Sequence, residues 1–149
     1  MSCCQCQGIE QEFNEKYVKR DLKKYCKKGP QKTTRLLLEA LKSERIAGGM
    51  LLDIGGGVGA IQHELLAAGM SRAISVEASS AYLTAAREEA ERLGLTGKIE
   101  FKQGNFVNLA EEILQVDIVT LDRVICCFDE MTALVGRSAE RAGKFYGVV

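Results

Sequence analysis

From Met50 onward, short apolar runs alternate with longer segments in which apolar residues recur at helical spacing. This alternation is typical of parallel β-strands joined by crossover helices. Four helices are expected in the segments between the runs, and the chain is expected to form an open, doubly wound α/β sheet. The runs predict five strands, Met50 to Ile54, Ala73 to Glu77, Ile99 to Gln103, Val116 to Asp122 and Phe145 to Val149.

The same pattern predicts the order of the strands. The third run, from Ile99 to Lys102, alternates apolar and charged residues, as an edge strand with one solvated face does. The fourth run, from Ile118 to Leu121, is almost continuously apolar, as an interior strand is. Both agree with the order 3-2-1-4-5. Because Val149 ends the chain within an apolar run, we expect a sequence truncated after the fifth strand.

The first 48 residues precede this alternation and predict helices instead. Apolar side chains at near-helical intervals indicate one amphipathic helix over residues 9 to 27, with Cys26 as a core contact. Gly29-Pro30 ends it, and a second helix is expected from about Gln31 to Ser43. We therefore divide the 149 residues into an N-terminal helical extension or lid, residues 1–48, and one α/β domain, residues 49–149.

Charge changes this picture only in the N-terminal extension. The formal net charge is zero, but residues 15–35 hold nine Lys or Arg against two acidic residues, which leaves the remainder near −7. A lysine-rich helical face is usually solvated, although it can also contact anionic partners. With few aromatic residues for stacking, we do not expect a nucleic acid acceptor. No apolar run approaches a membrane span and the N-terminus lacks a signal-peptide pattern, so we expect a cytoplasmic protein.

A glycine-rich loop, Gly55-Gly56-Gly57-Val58-Gly59, follows the first predicted strand and opens a helix. Such a turn presents unpaired backbone N–H groups, and glycines there allow a ligand to approach closely. The spacing also fits a dinucleotide loop, so the glycines alone leave NAD open. Asp53 favours S-adenosyl-L-methionine instead, because a carboxylate in an apolar strand needs a cation or donor such as the ammonium group of that ligand. Glu77 ends the second strand, where a carboxylate can accept ribose hydroxyl protons, and Asn105 follows the third.

In these motifs the chain resembles the class I S-adenosyl-L-methionine-dependent methyltransferases, over roughly residues 50 to 149. The resemblance implies a Rossmann-like methyltransferase fold with S-adenosyl-L-methionine as cofactor. It further implies that Asp53, Gly55, Gly56, Gly57 and Gly59 hold the methionine moiety, Glu77 the ribose and Asn105 the adenine. Two departures are Asn105, where the family commonly has Asp, and the end of the chain before the antiparallel strand pair that normally completes the family's sheet.

Three further candidates have weaker patterns. Asp122 ends the fourth strand at the topological switch point, so it is our candidate catalytic, cofactor-lining or acceptor-positioning residue; pairing with Arg123 is the alternative. His63 lies off the apolar face of its helix, and we expect it to be exposed. Six cysteines include Cys3, Cys4 and Cys6 at the N-terminus and Cys126-Cys127 after Asp122, but adjacent cysteines chelate one metal ion awkwardly, so we predict no metal site.

These patterns predict a methyltransferase that acts on an unidentified, small-molecule acceptor. An NAD-dependent oxidoreductase is disfavoured by Asp53 and by the lack of a hydride-transfer constellation. A non-catalytic module that binds the cofactor remains a third reading. The sequence contains no pattern that identifies the methyl-accepting atom, and none that indicates the oligomeric state.

Overall fold

The computed structural model describes residues 4–149, with side chains from residue 5. Five strands form one parallel sheet in the order β3-β2-β1-β4-β5, as predicted. Their bounds are β1 Met50–Ile54, β2 Arg72–Glu77, β3 Ile99–Gln103, β4 Val116–Leu121 and β5 Ala142–Val148. The predicted bounds of β1 and β3 are confirmed, and β3 is an edge strand with one half-exposed face.

Helices follow the strands as expected of crossover connections. These are α4 Ala60–Ala67, α5 Ser80–Arg92, the short α6 Phe106–Leu109 and α7 Met131–Glu140, with single 3-10 turns at Thr96–Lys98, Ala110–Glu112 and Ile125–Cys127. Gly94, with φ +72°, follows α5 as a C-terminal cap should. Apolar side chains on the two faces of β1 belong to two separate cores. Leu51 packs with α4 and with the N-terminal helix α3 (Lys32–Lys42), and Leu52 packs with α6 and α7.

The N-terminal extension contains three helices, so the prediction of two was wrong. They are α1 Cys4–Glu12, α2 Glu15–Lys28 and α3 Lys32–Lys42. The helix expected over residues 9 to 27 is interrupted at Phe13-Asn14, because the Asn14 side chain accepts a hydrogen bond of 3.1 Å from the Tyr17 N–H and begins α2. Phe13 packs against Tyr82 of α5, with ring centroids 5.4 Å apart.

Two further expectations about single side chains were wrong. Cys26 is exposed on α2 and contacts Glu89 through a weak 3.8 Å hydrogen bond, so it is no core contact. His63 is 2% exposed, because its ring lies against the neighbouring helix α5 beside Ala86. All nine basic residues of segment 15–35 are exposed, as a solvated face requires. Within the described residues, no helix has both the length and the apolar character to cross a bilayer.

Candidate functional site

A cavity of about 380 Å³ opens at the carboxyl ends of β1, β2 and β4. The strand order reverses between β1 and β4, and ligands of open α/β sheets bind at such a switch point. Five of the predicted site residues line it: Gly55, Gly56, Gly57, Glu77 and Asp122. The other three predicted site residues, Asp53, Gly59 and Asn105, do not line the cavity.

The glycine loop needs glycine for conformation and for space. Gly55, Gly57 and Gly59 all have positive φ, at +64°, +57° and +89°. A Cβ on Gly55 would lie 2.5 Å from a methyl group of Val124, and one on Gly56 would overlap the Asp53 carboxylate. The loop therefore presents bare backbone to the cavity, which is the surface that a ligand can approach most closely.

Asp53 lies under this loop at the end of β1 and is completely buried. Its Oδ1 accepts a hydrogen bond of 2.9 Å from the Thr120 hydroxyl, whereas its Oδ2 has no partner. Burial raises the pKa of the Asp53 carboxyl to about 7, although the hydrogen bond from Thr120 opposes that shift. A buried carboxylate oxygen without a donor is costly, and a cation or donor at the loop would satisfy it.

Glu77 ends β2 beside the loop and is 7% exposed. Each carboxylate oxygen accepts one backbone hydrogen bond, Oε2 from the Gly57 N–H at 3.1 Å and Oε1 from the Ser79 N–H at 2.9 Å. Burial raises the pKa of the Glu77 carboxyl, while the N–H groups of Ser79 and Gly57 lower it. The two bonds fix the orientation of the carboxylate, and each oxygen keeps a lone pair for a hydroxyl donor in the cavity.

Asp122 and Asn105 take different positions. Asp122 Oδ2 accepts a 2.5 Å hydrogen bond from the Thr34 hydroxyl of α3, and its Oδ1 pairs with the Arg123 guanidinium at 3.0 Å. The alternative of pairing with Arg123 is therefore present, together with a place on the cavity wall. Asn105 begins α6, and its side chain accepts from the Val107 N–H at 2.9 Å. Its neighbours Gly104 and Phe106 line the cavity.

The N-terminal helices supply the part of the wall that sequence reasoning missed. This N-terminal segment contributes the apolar and aromatic residues Ile9, Phe13, Tyr17, Tyr25 and Pro30, together with Asp21, Lys24, Gly29, Gln31 and Thr34. The aromatic spacing along α2 carries this signal, but the same spacing fits an ordinary core. Polar contacts also join these helices to α5. The Tyr82 hydroxyl donates to Asp21 at 2.8 Å, and the Ser80 N–H and hydroxyl donate to Glu10 at 2.6 and 2.7 Å.

His63 and the cysteines complete the set of candidates. Burial lowers the pKa of His63, and both ring nitrogens lack a hydrogen-bond partner, as do both amide atoms of the neighbouring Gln62. Cys126 and Cys127 line the cavity. Cys3 lies outside the described residues. Among residues 4–149, no three His, Cys, Asp or Glu side chains come together in a way that could hold a metal ion.

A parallel sheet of this order, with a glycine loop after β1 and a buried carboxylate at the end of β2, is typical of Rossmann-like domains, which include both methyltransferases and NAD-binding domains. Residues 47–149 match the profile of a family described as a methyltransferase domain, and the chain belongs to that family. Its fold is thus that of the class I S-adenosyl-L-methionine-dependent methyltransferases, as the resemblance in the glycine loop and Asp53 predicted.

Three proteins illustrate what the chain is similar to. The ribosomal protein L11 methyltransferase of Edwardsiella ictaluri is 28% identical over 123 residues, which take in 78% of this chain and 42% of the relative. A protein of Methanococcus maripaludis assigned as an S-adenosyl-L-methionine-dependent methyltransferase superimposes with a TM-score of 0.72 at 15% identity, over 90% of this chain and 64% of that one. A methyltransferase of Thiobacillus denitrificans in complex with S-adenosyl-L-homocysteine gives 0.63 at 19% identity, over 76% and 44%. This chain spans less than two thirds of each relative.

Proposed function

We propose that this chain binds S-adenosyl-L-methionine in the cavity and transfers its methyl group to a small-molecule acceptor. The observation that carries the proposal is the Glu77 carboxylate. It lies in the cavity wall beside the glycine loop, held by the N–H groups of Gly57 and Ser79. A carboxylate fixed in this way accepts two hydroxyl protons, as the ribose of an adenosyl group requires.

The remaining cofactor contacts follow from the position of each residue around the loop. The backbone of Gly55, Gly56 and Gly57 approaches the methionine moiety. Asp53, under the loop, offers its unpartnered Oδ2 to the positive end of that moiety. Gly59, which begins α4, keeps the loop in its left-handed turn. Asn105 caps α6 between the cavity-lining Gly104 and Phe106, and we assign it to the adenine end of the site.

The residues of this chain serve the reaction mainly by alignment. The cofactor supplies an electrophilic methyl carbon, so the protein has to hold the acceptor in line and exclude water. Asp122 lies in the cavity wall, where it can orient an acceptor donor group or accept its proton. Its bond to Thr34 ties that carboxylate to α3.

The N-terminal helices act as a lid, residues 1–48, over the domain of residues 49–149. Phe13, Tyr17 and Tyr25 give the cavity an apolar roof, and a volume of about 380 Å³ suits small ligands rather than a macromolecule. The thiols of Cys26, Cys126 and Cys127 are outside any disulfide, which favours the reducing cytoplasm as the compartment of action.

The test is formation of S-adenosyl-L-homocysteine from S-adenosyl-L-methionine in the presence of mixtures of small-molecule acceptors. Glu77→Ala should abolish product formation because it removes the ribose acceptor. Glu111→Gln, an exposed residue far from the cavity, is the matched control and should retain it. If the chain binds the cofactor tightly but methylates no class of acceptor, the proposal of an enzyme is wrong and the chain is a non-catalytic binding module.

A further inference from the structure

Cys126 and Cys127 lie beside the cavity and have no part in the proposed methyl transfer. Both are exposed and both contribute to its lining, so their thiols face the cavity at its solvent-accessible rim. Val124, two residues earlier, packs against Gly55 of the glycine loop. The pair is therefore anchored next to the loop that we assign to the cofactor.

The backbone around the pair is fixed. The two residues belong to the 3-10 turn Ile125–Cys127, in which the Cys127 N–H donates to the Val124 carbonyl at 3.1 Å. The Cys126 thiol contacts the Arg123 carbonyl at 3.5 Å, and the Gln5 side chain of α1 donates to the Cys127 carbonyl at 3.3 Å. The turn and α1 thus fix the backbone of both cysteines, and the contact with Arg123 orients the Cys126 thiol.

The distance between the two Sγ atoms is 3.3 Å. If a centre bonds both sulfurs at about 2.3 Å, the S–centre–S angle is about 90°. A tetrahedral Zn²⁺ site needs roughly 3.8 Å between sulfurs and four ligands, and the described residues bring no third protein ligand to the pair. A pyramidal trivalent centre, which bonds at angles near 90° and is satisfied with two thiols, fits better.

The fate of the two thiol protons also favours a trivalent oxide over a divalent metal ion. The contact with Cys126, followed by burial, raises the pKa of the Cys127 thiol. A divalent metal ion that binds two thiolates releases both thiol protons into water. An oxide of a trivalent centre takes up those protons on its own oxygen.

We propose that Cys126 and Cys127 form a two-thiol site for a trivalent metalloid compound, such as an organic arsenic(III) oxide. Two S–H bonds and the bond between the centre and its oxygen are broken, two S–centre bonds form, and one water molecule leaves with both protons. The metalloid keeps its oxidation state, so no oxidant or reductant takes part. Binding at this site is independent of the proposed methyl transfer.

Phenylarsine oxide is the probe, with the protein kept reduced by a phosphine. The full chain carrying Cys3→Ser, Cys4→Ser, Cys6→Ser and Cys26→Ser retains only the pair. We expect one equivalent to bind, detected in the intact mass as the probe less one water, and both remaining thiols to become unreactive. Equimolar Zn²⁺ should not compete, and excess ethanedithiol should reverse the binding.

Cys126→Ser in the same background should weaken binding by about 100-fold, because a single thiol loses the chelate effect. If that background fails to fold, Cys126→Ser and its matched control Cys26→Ser are compared in the otherwise unchanged chain, where only Cys126→Ser should lower the number of equivalents bound. Equal binding after Cys126→Ser, or displacement of the probe by Zn²⁺, would overturn the proposal. Calorimetry with S-adenosyl-L-methionine on the same samples reports separately on the proposed function.

Discussion

Thr120 of β4 donates a hydrogen bond of 2.9 Å to Oδ1 of Asp53 on the neighbouring strand β1, and Oδ2 of the same carboxylate has no donor. This half-satisfied, fully buried acid makes the ligand-free protein less stable than a neutral residue would. The cost is consistent with a site that becomes satisfied when a cation binds.

Asp53→Asn should therefore stabilise the ligand-free protein at pH 8 and weaken cofactor binding. The folded-state pKa of about 7 lies above the ordinary value of 3.8. Stability from this group is thus fully present below about pH 4 and is lost as pH rises toward 7. Between about pH 4 and pH 7, the free energy of unfolding of Asp53→Asn should therefore rise relative to that of the parent by roughly a few kcal/mol, because one pKa unit corresponds to about 1.36 kcal/mol.

Denaturant unfolding between pH 4 and 8 measures this difference. Asp129→Asn, at an exposed position, is the control and should show no such trend. A difference between Asp53→Asn and the parent that stays constant with pH would contradict the assignment of a raised pKa to Asp53.

The effect of His63 on the pH dependence of stability should be opposite to that of Asp53. Burial lowers its pKa, so the stability it contributes is present above the unfolded-state value of 6.5 and is lost as pH falls below it. The sequence contains one histidine, and its imidazole resonances in untagged protein belong to His63. A proton NMR titration should give a midpoint below 6.5, and a midpoint at or above 6.5 would show that the ring is solvated or paired.

Gly56→Ala tests the close approach of the loop. The added Cβ would overlap the Asp53 carboxylate, and we expect a loss of about 1–3 kcal/mol in unfolding free energy and at least about tenfold in cofactor affinity. Gly136→Ala in α7 meets nothing within 4 Å and should raise stability by up to about 1 kcal/mol. Thermal unfolding and calorimetry compare the two variants; equal effects would show that the loop is not sterically constrained.

Tyr82→Phe tests the attachment of the N-terminal helices. The variant removes the 2.8 Å bond to Asp21 but keeps the ring against Phe13. We expect faster amide hydrogen exchange in residues 15–28 with unchanged exchange in the sheet. Tyr146→Phe, which removes a hydroxyl contact with Ser138 on the other side of the sheet, is the control. Unaltered exchange in α2 would mean that apolar packing alone holds the lid.

The sheet was predictable because each strand is a local apolar run and each crossover returns to the same edge. Glu77 and Asp122 reach one cavity because parallel strands end together, which needs no knowledge of packing. The helix break at Phe13-Asn14 escaped prediction because it depends on the cap between the Asn14 side chain and the Tyr17 N–H, which the apolar spacing of residues 9 to 27 does not reveal. The burial of His63 was not predicted because α4 is covered on two sides. The apolar stripe in its sequence indicates only one of those sides.

Isothermal titration calorimetry with S-adenosyl-L-methionine, S-adenosyl-L-homocysteine and NAD tests the central claim most directly. We expect one site that binds both sulfur ligands, no heat of binding with NAD, and loss of binding in Glu77→Ala but not in Glu111→Gln. Binding of NAD alone, or binding of S-adenosyl-L-methionine that survives Glu77→Ala unchanged, would contradict the cofactor site described at the ends of β1 and β2.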